Sequence, residues 1–262
     1  MTLGRKQTLA DPGVWAAAAS EAKRTWPDGR LDALIASTAA AIASKTQDRR
    51  AAVAWSGGKD SLALAHVAQL AGVTECVLSI CRLEYPAFLQ WVTDHMPPGL
   101  TVVDTGQDLR WLRGHPEMLF PQGKNGPRWF TLVNHAGQAR YYRDHRLGVL
   151  LLGRRLKDGN YCGPASAGYE YTSKGVTRCS PLATWPHEAV LRLLDREKIS
   201  LPPCYSWPRG WQVGTGAWPA RQWTDSPDHG FEEVWQIDPD VIRAAAPELP
   251  AAAAWLSRTG RT

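Results

Sequence analysis

Apolar residues along the chain fall into two patterns that alternate with one another. Short apolar runs end at glycine or polar residues, and each is followed by a segment whose apolar residues recur at helical spacing. The first pattern is typical of buried strands and the second of amphipathic helices. Strands are predicted at residues 50–55, 73–81, 100–104, 148–153 and 176–180, and helices between or after them at 62–70, 85–95, 135–145 and 186–198. This alternation favours an α/β fold with a doubly wound, mainly parallel five-stranded sheet and helices on both faces.

Two further helices are predicted before the first strand. Asp11 is a typical helix N-cap and Pro12 a typical first helical residue, so we expect a helix over residues 14–24. A second helix is predicted over residues 31–45, with one face formed by Leu31, Leu34, Ile35, Thr38 and Ile42. Residues 1–48 therefore form a helical addition packed beside the sheet in this interpretation.

The chain changes character from Pro202 onward. Six of the thirteen tryptophans occur there among proline and glycine, and no long helical pattern appears before Asp238. A segment of roughly 60 residues forms only a marginal core of its own, so we expect an irregular, tryptophan-rich tail or lid. The predicted organisation is a helical addition at 1–48, an α/β domain at 49–205 and an extension at 206–262.

Composition limits the class of protein. The chain has 262 residues, 44% of them hydrophobic, and contains no apolar run of the length that crosses a membrane. Its basic N-terminus is not followed by the apolar stretch of a signal peptide. We expect a cytoplasmic protein with no membrane partner. Five cysteines without a CxxC pair predict reduced thiols instead of a disulfide framework.

Positive charge is concentrated in one part of the chain. Residues 107–160 contain ten Lys/Arg and four Asp/Glu, whereas the net charge of the whole chain is +5. Such a stretch suits a phosphate-rich ligand or a nucleic acid. A solvated basic face without a ligand is the alternative interpretation.

The loop after the first predicted strand carries the strongest chemical signal. It reads Ser56-Gly57-Gly58-Lys59-Asp60-Ser61 and lies between a strand and a helix. Such a turn directs backbone N–H groups towards one point, where the helix N-terminus adds partial positive charge. The glycines leave room for phosphate, the serines offer hydroxyl groups and Lys59 adds a cation. Asp60 beside phosphate requires either a bound Mg²⁺ or a hydrogen bond back onto the loop.

The loop is neither a Walker loop nor a G-x-G-x-x-G motif. It resembles the S-G-G-x-D-S signature of the PP-loop ATP pyrophosphatases, which cleave ATP between the α- and β-phosphates. The resemblance extends to the branch of phosphoadenosine phosphosulfate (PAPS) reductases. Gly153-Arg154-Arg155 matches a glycine-arginine step of that branch, and 180–185 together with 201–205 match its proline-leucine-tryptophan and proline-tyrosine block. The match covers residues 51–205 and implies a Rossmann-like fold of PP-loop type.

Two departures limit what the resemblance implies. The reductases use a cysteine near the C-terminus, yet no cysteine follows Cys204. Iron–sulfur members need paired cysteines beyond the matching tyrosine, whereas residues 210–221 contain none. We therefore expect no iron–sulfur cluster, and we do not expect the reductase reaction itself.

The resemblance and the strand ends supply the remaining candidate residues. Arg154 and Arg155 directly follow a predicted strand, where ligands of doubly wound sheets bind, and arginine suits phosphate. The alternative is a surface pair at the strand end. The resemblance implies contacts to the adenine nucleotide from the end of the second strand, through Ser79, Ile80 and Arg82. Cys162, in a loop, and Cys179, in a strand, are candidate reactive thiols as well as candidate packing residues.

The leading hypothesis is an enzyme that binds ATP and Mg²⁺, adenylates an acceptor oxygen and releases pyrophosphate. Lys59, Asp60, Arg154 and Arg155 are the candidate catalytic residues, the loop 56–61 with Ser79, Ile80 and Arg82 binds the nucleotide, and Asp60 is the candidate Mg²⁺ ligand. A nucleic-acid group is a candidate acceptor, and a homodimer is a candidate assembly. Two alternatives remain: a thiol-dependent PAPS or adenylyl sulfate reductase using Cys162 or Cys179, and a nucleotide-binding module without catalysis.

Overall fold

The computed structural model describes residues 12–221 and 226–262. Eleven α-helices occur within these residues. They are α1 (Pro12–Thr25), α2 (Asp28–Thr46), α3 (Lys59–Leu70), α4 (Pro86–His95), α5 (Leu109–Gly114), α6 (Ala136–Asp144), α7 (His187–Arg196), α8 (Gly210–Val213), α9 (Pro227–Ile237), α10 (Pro239–Ala245) and α11 (Pro250–Thr259). The predicted N-cap, Asp11, lies outside the described residues. No helix in residues 12–221 or 226–262 is both long and apolar enough to span a membrane.

The strands form one six-stranded sheet with the order β3-β2-β1-β4-β6-β5. The strands are β1 (Ala51–Ala54), β2 (Cys76–Ile80), β3 (Leu100–Asp104), β4 (Val149–Leu152), β5 (Glu170–Ser173) and β6 (Val176–Cys179). Five of them are parallel, and β5 pairs antiparallel with β6 at the edge. The predicted α/β class with a mainly parallel sheet is confirmed, with small differences in element bounds.

The predicted number of five strands is wrong, because β5 has no apolar run. Its sequence is Glu-Tyr-Thr-Ser, and no residue in it is fully buried. The turn to β6 passes through Lys174 and Gly175, both with positive φ, at 54° and 77°. Two consecutive residues of this kind are typical of a tight hairpin turn. The sixth strand is thus a polar edge strand added by a local turn.

The sheet separates two hydrophobic cores. Val149 and Leu151 of β4 belong to the larger core, whereas Leu150 and Leu152 belong to the smaller one. All four side chains are buried, which explains why β4 reads as a continuous apolar run. The larger core also contains Leu31, Ile35 and Ile42 of α2. The N-terminal helices therefore pack against the α/β sheet.

The C-terminal extension is more regular than predicted. Its helices α9, α10 and α11 contribute Phe231, Ile242 and Trp255 to the larger core. Each of these helices has proline in its first turn, a position that lacks an intrahelical hydrogen bond. Three prolines of the segment, Pro227, Pro239 and Pro250, are therefore helix starts.

Candidate functional site

The loop 56–61 lies at the carboxyl end of β1 and leads directly into α3. Gly57 has φ of 71°, which favours glycine. A Cβ atom at this position would also lie 3.1 Å from the rings of both Phe88 and Trp91. The first glycine of the loop is therefore required both by its backbone conformation and by the close approach of α4.

The two serines of the loop hold its shape. Ser61 Oγ accepts a hydrogen bond from the backbone N–H of Ser56 at 3.1 Å and donates one to the carbonyl of Gly58 at 2.9 Å. Ser56 Oγ lies 3.3 Å from the backbone nitrogen of Gly58, which donates to it. These bonds span the turn, so the loop is organised for a ligand before any ligand binds.

Tyr205 closes one side of the loop. Its hydroxyl oxygen accepts a hydrogen bond from the backbone N–H of Lys59 at 2.8 Å. Burial raises the pKa of Tyr205 well above its usual value, so the hydroxyl group stays protonated. Tyr205 belongs to the sequence block that resembles the PAPS reductases, and the structure adds it to the site.

Four charged residues form a cluster beneath the loop, which we call the charge cluster: Lys59, Asp60, Arg155 and Asp158. The Asp60 carboxylate lies 2.6 Å from Lys59 Nζ through Oδ2 and 2.7 Å from Arg155 Nε through Oδ1. Arg155 Nη2 is also 2.9 Å from Asp158 Oδ2. Burial raises the pKa of Asp60, but Lys59 and Arg155 outweigh it and hold this pKa below its usual value. Two cations and two anions thus compensate one another in a buried place.

Arg155 is fully buried and belongs to the protein interior. Beyond the charge cluster, its Nη1 donates to the carbonyl of Trp185 at 3.2 Å and its Nη2 lies 2.8 Å from Nδ1 of His187. Burial, followed by the charges of Arg155 and Lys59, lowers the pKa of His187 to about 4. His187 is therefore neutral at pH 7, and its nitrogen can accept from Arg155.

Arg154 points in a different direction and lines a cavity. Its Nη1 donates to the carbonyl of Tyr161 at 3.2 Å and to the hydroxyl of Tyr171 at 3.0 Å. Its guanidinium group also lies 5.9 Å from the centre of the Phe130 ring. Arg154 is thus held in place beside the cavity, while Arg155 supports the loop from below.

The cavity beside the loop has a volume of about 410 Å³, within the range of small-molecule sites. The loop, the end of β2, Arg154 and the segment after α8 surround it. Polar residues of its lining include Ser56, Lys59, Asp60, Ser61, Ser79, Glu84, Asn134, Gln138, Arg154, Asp158, Asn160, Tyr205 and Thr215. Of these, Ser79 Oγ, Glu84 Oε2 and Gln138 Oε1 are buried with neither a hydrogen-bond partner nor an ion pair among the described residues, whereas the buried oxygens of Asp60 and Asp158 face Arg155. Unpaired buried polar atoms at a cavity indicate ligand contacts.

The structure brings together most of the predicted site residues, with one clear exception. Ser79 and Ile80 line the cavity together with the loop. Arg82 does not: its Nε pairs with Asp104 Oδ2 at 2.8 Å, and its side chain is 63% exposed. Its backbone N–H donates to the carbonyl of Gln107. Arg82 therefore has no contact with this cavity.

Two tryptophans complete one side of the site, and Trp15 is the one that the sequence did not indicate. Trp15 of α1 stacks on Trp211 with 4.4 Å between ring centres, and both rings line the cavity. The ammonium group of Lys59 lies 5.3 Å from the Trp15 ring. The N-terminal helix therefore contributes to the site as well as to the core.

Asp60 does not fit the predicted role of Mg²⁺ ligand in this arrangement. Both of its carboxylate oxygens already lie within ion-pair distance of cations, Lys59 and Arg155. In the part of the chain that the structure describes, no group of three or more His, Cys, Asp or Glu side chains could hold a metal ion. The hydrogen-bonded alternative, in which Asp60 is compensated by the protein, agrees better with these contacts.

The two candidate thiols are both buried in surroundings that raise their pKa. Cys162 is buried, and burial raises the pKa of its thiol. Cys179 is buried in β6, where burial raises its pKa to about 11. Neither residue lines the cavity as the described residues form it. Both environments disfavour the thiolate that a nucleophile requires.

Comparison with solved structures shows a shared fold. PAPS reductase from Candida auris, in its phosphate complex, matches with a TM-score of 0.50 and 13% sequence identity, over 68% of this chain and 91% of that chain. The U34-tRNA thiolase NcsA from Methanococcus maripaludis, with its 4Fe-4S cluster, matches with a TM-score of 0.46 and 14% identity, over 82% of this chain and 80% of that chain. No protein-family model and no curated protein matches the chain. The resemblance to the PAPS reductase branch is confirmed at the level of the fold.

Proposed function

We propose that this chain is a PP-loop enzyme that binds ATP and cleaves it between the α- and β-phosphates, adenylating an acceptor. The observation that carries the proposal is the cavity itself. Its wall combines the loop 56–61 at the start of α3 with Arg154 and with unpaired polar atoms near the end of β2. Phosphate groups suit the part of the wall formed by the loop and Arg154. A nucleotide base suits the part with the unpaired polar atoms near β2.

The base of the nucleotide occupies the region of Ser79, Ile80 and Gln138 in this proposal. Gln138 Oε1 is buried and unpaired, so it can accept from the amino group of adenine. Ser79 is packed tightly against α6, because a Cβ atom at Gly137 would lie 2.3 Å from Ser79 Oγ. This close packing fixes the polar residue Ser79, near the carboxyl end of β2, in the position proposed for base recognition.

The phosphates lie over the N-terminus of α3, between Lys59 and Arg154. An acceptor oxygen attacks the α-phosphorus, the bond from that phosphorus to the bridging oxygen breaks, and pyrophosphate leaves with the bridging oxygen. Lys59 and the partial positive charge at the N-terminus of α3 stabilise the charge that grows on pyrophosphate. Asp60 and Arg155 act indirectly, since they position Lys59 and the loop. No step is assigned to a metal ion.

The basic stretch and the mouth of the cavity support a nucleic-acid acceptor. Phe130 lines the cavity, and 43% of its surface is exposed. Tyr161, whose carbonyl accepts from Arg154, is 63% exposed. Exposed aromatic rings beside arginine are typical of surfaces that stack single-stranded bases. Burial of Cys162 and Cys179, neither of which lines the cavity, argues against the thiol-dependent reductase.

The test is the fate of ATP labelled at the α-phosphate, incubated with the protein alone, with RNA or with single-stranded DNA. Formation of AMP and pyrophosphate supports the proposal, and formation of ADP and phosphate refutes it. Lys59→Met should weaken ATP binding at least tenfold, because it removes a charge at the phosphates. Lys124→Met removes an exposed lysine outside the cavity and is the matched control. Tight ATP binding without turnover would instead support a nucleotide-binding module.

A further inference from the structure

A groove lies between α6 and the hairpin of β5 and β6, and it shares no lining residue with the cavity beside the loop 56–61. Arg140 and Arg143 of α6 line one side of this groove. Lys174, in the hairpin turn, lines the other. The lining, as the described residues form it, contains no Asp or Glu. The groove is therefore positively charged on both sides.

The cations of the groove are available to an external anion. All three of their side chains are exposed. Arg140 Nη1 donates to the backbone carbonyl of Asp104 at 2.9 Å, and the Asp104 carboxylate pairs with Arg82. Within the described part of the chain, the side chains of Arg143 and Lys174 have neither an ion pair nor a hydrogen bond. Their charges are thus not compensated by the protein.

Arg178 adds a buried positive charge behind the groove. It lies two residues after Val176 in β6, so the two side chains are on the same face of the sheet, and Val176 lines the groove. Arg178 is only 6% exposed, and its Nε has no hydrogen-bond partner among the described residues. A buried cation without an anion lowers the stability of a fold. An anion that binds from outside the chain accounts for its presence.

Tyr142 connects this buried charge with the groove. It lines the groove, and the Arg178 guanidinium lies 6.0 Å from the centre of its ring. The Tyr142 hydroxyl is buried and has no hydrogen-bond partner among the described residues. Burial, followed by the charges of Arg178, Arg154 and Lys174, lowers the pKa of His135 at the start of α6. This side of the sheet therefore has a positive field and an unused hydroxyl group.

Aromatic rings connect the groove with the mouth of the cavity. Tyr171 lies directly opposite Arg178 in the pairing of β5 with β6, and its hydroxyl accepts from Arg154. The ring centres of Tyr171 and the exposed Tyr161 are 5.3 Å apart. Proteins that bind single-stranded nucleic acids combine a positive groove for the backbone with rings for the bases. An open groove with cations on opposite sides suits such a chain better than it suits a small anion.

We propose that this groove binds the phosphodiester backbone of a single-stranded nucleic acid, whose bases extend towards the exposed rings at the cavity mouth. Arg140, Arg143 and Lys174 contact phosphate groups, and Arg178 strengthens their attraction from behind Tyr142. The proposal rests on the nucleic-acid acceptor of the proposed function and adds the surface that holds the strand.

The first experiment measures binding of fluorescein-labelled oligothymidylate, about 20 nucleotides long, to the full chain by fluorescence anisotropy at several salt concentrations. Three phosphate contacts should give a slope of log Kd against log salt of at least about 2, since each contact contributes about 0.7 on a single strand. The double variant Arg143→Gln/Lys174→Gln should lower this slope by about 1.4 and weaken binding about tenfold at low salt.

The matched control is Arg110→Gln/Lys124→Gln. It removes the same charge from two exposed residues that line neither the groove nor the cavity, and it should keep the slope and the Kd of the wild type. Equal losses in the two double variants would show an effect of net charge alone and overturn the proposal. So would the absence of saturable binding, or displacement of the strand by an oligoglutamate of equal charge as effectively as by unlabelled oligothymidylate.

The second experiment concerns the buried charge. Methionine is apolar and similar in length to arginine, so Arg178→Met should raise the urea midpoint of the free protein. The same variant should weaken oligothymidylate binding by about threefold or more, because it removes a charge from a region of low dielectric constant. A gain in stability together with a loss of binding is not expected for an ordinary core residue. Unchanged oligothymidylate binding would overturn the role of Arg178.

Failure of this inference can be told apart from failure of the proposed function, because the binding experiments contain no ATP. Formation of ADP from ATP would refute the proposed function and leave a groove-dependent Kd in place. Wild-type oligothymidylate binding by Arg143→Gln/Lys174→Gln would refute the groove, whereas release of AMP and pyrophosphate would still support the proposed function. Both groove residues lie outside the cavity, so ATP affinity should stay at the wild-type value in this variant.

Discussion

Replacing Glu84 by glutamine should make the fold more stable at alkaline pH. The buried carboxyl has no cation beside it among the described ion pairs, so ionisation is opposed by desolvation alone. Burial raises its pKa from 4.5 to about 7, and the hydrogen bonds from Cys81 oppose that rise. The folded chain therefore holds this proton more tightly than the unfolded chain does.

The sign and size of the effect follow from these two pKa values. Glu84 contributes stability that is fully present below pH 4.5 and is lost as the pH rises through 7. The whole contribution is about 3 kcal/mol, at about 1.4 kcal/mol per pH unit. Glutamine carries no charge at any pH, so it does not lose this contribution. Between pH 5 and pH 8 the stability of Glu84→Gln should rise relative to wild type by about 2 to 3 kcal/mol.

The assay is urea unfolding followed by tryptophan fluorescence, for which the chain has thirteen tryptophans. The free energy of unfolding is measured at several pH values for wild type, Glu84→Gln and the surface control Glu117→Gln, which changes an exposed glutamate that pairs with Arg128. The control should follow the wild type at every pH, because an exposed ion pair contributes little. A difference between Glu84→Gln and wild type that does not change with pH would refute the reasoning, and so would a less stable variant at pH 8.

Three further predictions concern other residues of the site. Arg155→Met removes the cation that Asp60 and Asp158 share and leaves Lys59 to compensate both carboxylates of the charge cluster, so it should lower the free energy of unfolding by about 3 to 5 kcal/mol, measured with urea. Arg154→Met should lower the free energy of unfolding by less than about 1.5 kcal/mol but weaken ATP binding. Burial lowers the pKa of His187 from 6.5 to about 4, so below pH 6.5 the unfolded chain binds a proton at this histidine that the folded chain does not. The free energy of unfolding should therefore fall as the pH drops from 6.5 towards 4. This loss should be smaller in His187→Gln, as unfolding curves at pH 7 and pH 5 would show. Gln138→Ala should weaken ATP binding by about five- to tenfold and reduce the preference for ATP over GTP, measured by calorimetry; an unchanged preference would exclude Gln138 from base recognition.

The parts of the fold that could be predicted are those in which a single local pattern decides the structure. The strands β1, β2 and β4 are apolar runs, a pattern that burial on both faces of a parallel sheet produces. The strands β3 and β6 mix apolar with polar residues. The edge strand β5 and the helix α9 follow other rules. The position of β5 is determined by the hairpin turn at Lys174 and Gly175, which pairs it with β6. The start of α9 depends on the capping of Ser226, which accepts from the N–H of His229, and on proline in the first turn.

The loop of the site could be predicted because its chemistry is contiguous in the chain. The residues that complete the cavity are far from it in sequence: Trp15 from the first helix, Gln138 from α6 and Trp211 from α8. Each carries a pattern that also suits ordinary packing, since a tryptophan in a helix or a glutamine on a helix face has no chemical signature. Only the packing of distant segments against one another, such as α6 against β2 and α1 against α7, turns them into cavity residues.

The pair Arg154 and Arg155 shows where local sequence stops being informative. From the sequence, two adjacent arginines after a strand are expected to be equivalent phosphate ligands. In an extended backbone, however, successive side chains point to opposite sides, and here one guanidinium reaches the cavity while the other is fully buried. The difference lies in their anions: Arg155 meets Asp60 and Asp158, so its burial is compensated. Under the proposed function, a nucleotide in the cavity meets Arg154 directly and Arg155 only through Asp60, and exchanging the two roles would require moving two buried carboxylates.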